Sequence, residues 1–184
     1  MSVRTLVGLA VAGVALTLQI STLSAQDNPV VVMETSMGAI TIELYLEEAP
    51  ISVENFLTYV DEDHYDGTIF HRVIADFMIQ GGRFEPDMTP RATHAEIKNE
   101  AENGLLNDEY TVAMARTNAV DSATDQFFIN GKDNAFLNNG VRDFGYAVFG
   151  KVIDGTSVVD AIEATPVDNS IPTTPVIIES LSRR

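Results

Sequence analysis

Short β-branched runs constrain this chain more than any other feature of its sequence. Two of them, 30–33 and 39–45, flank Ser36-Met37-Gly38. The second alternates strictly, with Ile40, Ile42 and Leu44 on one face, which predicts a hairpin with one buried side. Further strands are expected at 68–73, 77–80, 111–116, 126–129, 146–153 and 176–178. Only two segments carry a helical period. After Pro50, residues Val53, Phe56, Leu57 and Val60 recur at i, i+3, i+4 and i+7, with Ser52 read as the N-cap. A second helix fits 157–164, where Val158, Val159 and Ile162 are apolar. Many short strands, two helices and no βαβ rhythm predict a mainly β fold, an antiparallel barrel or sandwich with helices at its ends.

No repeat or low-complexity linker interrupts the chain after Asn28, so 26–184 reads as one domain. The polar stretch from Gly81 to Glu109 is long for a loop, which predicts a functional segment or one wrapped on the surface. The opening residues carry a different signal. Arg4 precedes an uncharged, mostly apolar run at 5–20, then the small residues Ser21, Thr22, Ser24 and Ala25. That order predicts a cleaved signal peptide over 1–25 and export. The apolar run falls short of the ~20 residues needed to span a bilayer, so no membrane association is expected after cleavage.

Composition then removes whole classes of function. The chain contains no cysteine, so disulfides, thiol catalysis and cysteine–metal sites are all absent. Its three histidines, His64, His71 and His94, lack metal-ligand spacing. Asp61-Glu62-Asp63 lacks the spaced ligands of a calcium loop, and Gly81-Gly82 makes no phosphate-binding fingerprint. No serine sits in a Gly-x-Ser-x-Gly elbow. Neither a metal nor a cofactor is expected. The net charge of −16 repels nucleic acid, and loss of Arg4 with the leader would leave the chain one unit more negative.

What remains is the segment from Phe70 to Gly82, with Arg72, Phe77, Met78 and Gln80 close together. On strands, Arg72 shares a face with Ile74, and Met78 shares one with Gln80. A permanent cation beside aromatic and methionine side chains is an unusual arrangement. From the residues alone, an arginine paired to a carboxylate is an equal reading.

This segment, with Ala113-Met114-Ala115-Arg116, the run 122–129 and the run 144–152, resembles the cyclophilins, particularly the bacterial periplasmic members. The likeness extends from about Val30 to Ile178. The resemblance implies a closed eight-stranded antiparallel barrel capped by two α-helices, with the active site on its outer face. It implies peptidyl-prolyl cis/trans isomerase activity in the periplasm, assisting exported proteins to fold. Arg72 would be catalytic, with Phe77 and Gln80. Met78 and Phe128 would line the proline pocket, and Gln126 would steer the peptide backbone. Ala115 and Arg116 would offer backbone contacts, Phe136 and Leu137 would wall the far side, and Tyr146 stands where many members carry histidine.

Two departures from the family pattern stand out. Phe136 replaces the tryptophan of cyclosporin-sensitive members, so weak cyclosporin binding is expected. Arg116 replaces the asparagine common in eukaryotic members, which leaves its side-chain role open. His71 is read as structural. The partners implied are proline-containing segments of unfolded or exported polypeptides, and the chain is expected to be a monomer. The rival reading is a binding module, a holdase for proline-rich segments of unfolded envelope proteins.

Overall fold

A computed structural model describes residues 28–184. The expected signal peptide at 1–25 lies outside the described residues. The two β-branched runs form the hairpin their alternation predicts. β1 (Val30–Thr35) pairs with β2 (Gly38–Leu44), and Thr35 opposes Gly38 across the turn. Val31 and Met33 of β1, with Ile40, Ile42 and Leu44 of β2, are wholly buried.

Six more strands complete the main sheet: β3 (Arg72–Ile74), β4 (Met78–Gly81), β5 (Thr111–Met114), β6 (Phe127–Asn130), β7 (Val148–Asp154) and β10 (Ile178–Arg183). Two short strands, β8 (Val167–Asp168) and β9 (Ile171–Pro172), form a separate hairpin. The eight-stranded sheet is antiparallel in the order β10-β1-β2-β7-β5-β6-β4-β3. It is the mainly β architecture expected, with one difference. Among the described residues, the edge strands β3 and β10 share no ladder. The chain ahead of each meets instead at an Ile69–Ile177 bridge, reinforced by Phe70 N–H to Val176 O (3.0 Å) and Gly67 N–H to Ile178 O (2.7 Å). The expected strand at 68–73 is therefore divided, its first half serving this junction.

The last strand lies later than the expected 176–178 and is longer: it begins at Ile178, while Val176 and Ile177 precede it. Ile178 and Leu181 are both buried although three residues apart, which breaks the period of two. A bulge resolves the conflict: Thr35 pairs with Ile178 and Glu34 with Ser180, leaving Glu179 unopposed.

Helix α1 (Pro50–Asp61) buries Val53, Phe56, Leu57 and Val60 as its spacing predicts. Its N-cap is Ala49, not Ser52, with Pro50 supplying a preset φ in the first turn. Ser52 lies inside the first turn and is capped from a distance. The Glu100 carboxylate accepts hydrogen bonds from Ile51 N–H (3.0 Å), Ser52 N–H (2.7 Å) and Ser52 Oγ–H (2.7 Å). A carboxylate there also meets the positive end of the helix dipole. Helix α2 (Thr156–Glu163) buries Val159 and Ile162 and packs on β2, β3 and β4.

Glu100 belongs to the long polar segment after Gly81, which lies wrapped on the surface as expected. Bridges Phe84–Pro90 and Ile97–Ala123 fasten it to itself and to the segment ahead of β6. The core inside the curled sheet is rich in aromatic side chains. Phe56 touches Tyr65, Phe127 and Phe149 at ring-centroid distances of 5.1, 5.5 and 5.1 Å. With no disulfide available, this packing is the main source of stability. Among the described residues, no helix is long and apolar enough to cross a membrane.

Candidate active site

Strand register builds the site. β3 and β4 pair Arg72 with Gln80, Val73 with Ile79, and Ile74 with Met78. β4 and β6 pair Gln80 with Phe128, and β5 and β6 pair Ala113 with Phe128. Because side chains alternate across a strand, Val73, Ile79, Phe127, Ile129, Val112 and Met114 turn inward to the main core. Arg72, Met78, Gln80, Phe128 and Ala113 share the opposite face. There Met78, Ala113, Phe128, Leu137 and Val148 form a second apolar cluster, flanked by Phe77, Ala115 and Tyr146.

Above that cluster lies a cleft of about 320 Å³. Ten of the eleven residues expected at the site line it: Arg72, Phe77, Met78, Gln80, Ala115, Arg116, Phe128, Phe136, Leu137 and Tyr146. The eleventh, Gln126, stands behind Gln80 and accepts a hydrogen bond from its Nε2 at 2.9 Å. Arg72 completes the row, donating to Gln80 Oε1 at 3.2 Å, and its guanidinium carbon lies 6.0 Å from the Phe77 ring centroid. Among the described residues no carboxylate pairs with Arg72. The reading of Arg72 as half of an ion pair therefore fails, and its charge faces the cleft.

The aromatic walls are held from behind. Phe77 stacks on Phe136 at 5.6 Å, and Phe128 meets Tyr146 edge-on at 5.7 Å. Phe77 follows a tight turn in which Asp76 takes a positive φ of 55°. Its N–H donates to Glu163 Oε1 (3.2 Å), and its carbonyl accepts from Gly131 N–H (2.9 Å) and Asn134 Nδ2 (2.8 Å). Burial holds the Glu163 carboxyl above its ordinary range, with the neighbouring Asp76, Asp160 and Glu109 adding to the effect.

The sequence and fold have their counterparts in known proteins. The model of the family described as cyclophilin type peptidyl-prolyl cis-trans isomerase/CLD matches residues 30–183. This chain belongs to the cyclophilin family. A peptidyl-prolyl cis-trans isomerase of Streptomyces antibioticus is 60% identical over 156 residues, covering 80% of this chain and 94% of that protein. Peptidyl-prolyl cis-trans isomerase B of Escherichia coli is 50% identical, covering 83% of this chain and 98% of that protein. A cyclophilin-type isomerase of Cryptosporidium parvum, solved in the presence of the dipeptide Ala-Pro, superposes with a TM-score of 0.75 at 29% identity. It covers 84% of this chain and 98% of that one. The chain is a peptidyl-prolyl cis-trans isomerase.

Two features of this cyclophilin's cleft follow from its tertiary packing. Arg116 is a strut: its side chain is 5% exposed. It donates to Gly145 O, Thr117 O and Asp143 Oδ1, each at 2.9 Å, and lies 4.6 Å from the Tyr146 ring centroid. Gly145 itself sits at φ +87°, where an added Cβ would approach Asn139 N to 2.7 Å. The second feature is Arg142, which lines the cleft and lies 5.6 Å from the Phe136 ring centroid. Sequence reasoning missed it, because it stands in the loop between Leu137 and Tyr146, outside every signature run. Its only sequence signal is a basic residue between two site positions.

His71 is buried against Phe84, with ring centroids 4.7 Å apart. Burial, with the adjacent Arg72 charge adding to it, pushes the imidazole down to about 4. It is neutral at physiological pH and does not line the cleft.

Proposed function

We propose that Arg72 stabilises the twisted peptidyl-prolyl amide in this cleft, while the apolar floor holds the proline ring. Rotation about X–Pro faces a barrier of about 18–20 kcal/mol because amide conjugation is lost on the way. No bond is made or cut, so neither a nucleophile nor a titrating base is required. The protein must bind the twisted amide better than either planar form. As the amide twists, the prolyl nitrogen becomes pyramidal and regains a lone pair, which a guanidinium stabilises. The observation that carries this reading is Arg72, without a carboxylate partner among the described residues, oriented by Gln80 and Gln126 beside an apolar floor.

The remaining residues take supporting roles. Met78, Phe128, Leu137 and Phe136 enclose the ring beside Phe77, with Tyr146 closing the side. Gln80 and Gln126 orient the flanking backbone. The Ala115 N–H is already committed to Gln126 O at 2.9 Å, which leaves its carbonyl for the peptide. One charge-assisted hydrogen bond is worth roughly 1.5–3 kcal/mol, or about one to two decades of rate. The rest of the acceleration comes from positioning and from the apolar floor that holds the ring.

The deciding experiment is the cis-to-trans rate of an Ala-Pro-Phe peptide with wild-type protein and with Arg72→Ala. The expected result is a fast wild type and a variant slowed about ten-fold or more. Arg72 is exposed and unpaired, so its removal leaves stability within about 0.5 kcal/mol. A wild type no faster than buffer would instead favour the holdase reading, in which the same cleft only binds proline-containing segments. We place the protein's clients among exported polypeptides of the periplasm, on the strength of the leader pattern at 1–25. N-terminal sequencing of protein recovered from a periplasmic extract, beginning near Gln26, tests that assignment.

A further inference from the structure

The residues lining the cleft include three arginines and no aspartate or glutamate, in a chain whose net charge is −16. The three guanidiniums are not equivalent. Arg72 faces the proposed amide position. Arg116 is buried and occupied by its three acceptors. Arg142 is about half exposed and makes one hydrogen bond among the described residues, from Nε to Asp143 Oδ2 at 3.3 Å. Its two terminal nitrogens have no partner among the described residues. Asp143 is shared between Arg116 and Arg142 and cannot neutralise both. The cleft therefore holds a local excess of positive charge.

We propose that Arg142 makes this isomerase select X–Pro segments bearing an acidic side chain directly before or after the proline. The inference rests on the isomerase reading of the same cleft. Arg142 lies 5.6 Å from the centroid of Phe136, a wall of the proposed proline pocket. An extended peptide advances about 3.3–3.6 Å per residue, so a neighbouring side chain reaches the free guanidinium edge. Arginine suits the role because it stacks on an aromatic face while presenting a fork that matches a carboxylate. The carboxylates elsewhere on the surface do not cancel this preference. At physiological ionic strength screening acts over about 8 Å, so a bound peptide responds mainly to the charges lining its own cleft.

The test uses Ala-Pro-Phe-type peptides that carry Glu or Gln, first before and then after the proline. The readout is the ratio of kcat/KM for the Glu peptide to that for the Gln peptide. An ion pair at a partly exposed site predicts a wild-type ratio of about two to five at physiological ionic strength, for at least one position. That ratio falls toward one in molar salt and in Arg142→Gln, and drops below one in Arg142→Glu. Because the ratio is internal to each protein, a general loss of activity in a variant does not disturb it. Normal turnover with a wild-type ratio of one at both positions overturns the inference alone. A ratio unchanged in Arg142→Gln overturns it too, by assigning the preference to Arg72. A wild type inactive on every peptide overturns the isomerase reading and takes this inference with it.

Discussion

Replacing Arg116 with alanine tests whether this side chain is a strut or a peptide contact. Its three hydrogen bonds, all 2.9 Å, would give about 4.5–9 kcal/mol if each carried the usual charged-bond value. The surroundings reduce that sum. Gly145 O keeps a second donor in Asn99 Nδ2 at 3.0 Å. Asp143 is 42% exposed and retains Arg142, and water reaches the Thr117 carbonyl. What is lost without replacement is the buried guanidinium's packing on Tyr146 and part of one charged bond. That amounts to about 2–3 kcal/mol. For a domain of this size each kcal/mol lowers Tm by about 2–4 °C, so a fall of about 4–12 °C is expected. Urea unfolding followed by circular dichroism is the assay of choice, since the chain has no tryptophan. The loop from Asn138 to Gly145 and the Tyr146 wall should loosen together, raising KM more than they lower kcat. Arg116→Lys recovers charge but not the fork, and falls between the two. A variant within 0.5 kcal/mol of wild type would refute the strut. So would a variant of full stability that had lost two decades of kcat with KM unchanged, because Arg116 would then act on the reacting peptide.

Two other outcomes follow from the site. With His71 neutral and Arg72 permanently charged, kcat/KM should be flat from about pH 6 to 9, and a bell centred near the ordinary histidine value would refute that assignment. His71 also makes stability depend on pH: a value depressed to about 4 means that the unfolded chain binds the proton more readily, so stability is full above about pH 6.5 and is lost as pH falls toward 4. Between pH 7 and 4.5 the loss is about 2–3 kcal/mol, and a His71→Phe protein that lost as much in denaturant unfolding would contradict this. Phe136→Trp places an indole donor beside Phe77 and should tighten cyclosporin binding by about ten-fold, the size of one added hydrogen bond; titration calorimetry showing no change would refute the expectation that the residue at 136 limits that binding.

The strand and helix faces were legible because they rest on local periodicity. Alternation from Arg72 to Gln80 already separates an inward set from an outward one, and the α1 stripe is buried as its spacing requires. The family resemblance named ten of the eleven residues that line the cleft before any geometry was known, and missed Arg142. Features that depend on partners distant in the chain were not legible. Ser52 looked like a cap until Glu100, 48 residues away, took the helix N-terminus. The last strand looked short because a bulge at Glu179, defined only by pairing with β1, hides its period.

The sequence by itself determined which residues face inward and which face the cleft, and the cyclophilin signatures that go with them. Tertiary structure alone decided the charge state and availability of those groups. Arg72 is free because its register partner is glutamine, whereas Arg116 is occupied because a loop about thirty residues on folds back over it. His71 is neutral because packing excludes water from its ring. Arg142 joins the cleft because its loop folds against Phe136. Burial and long-range contacts set electrostatics, and neither is a property of the local sequence.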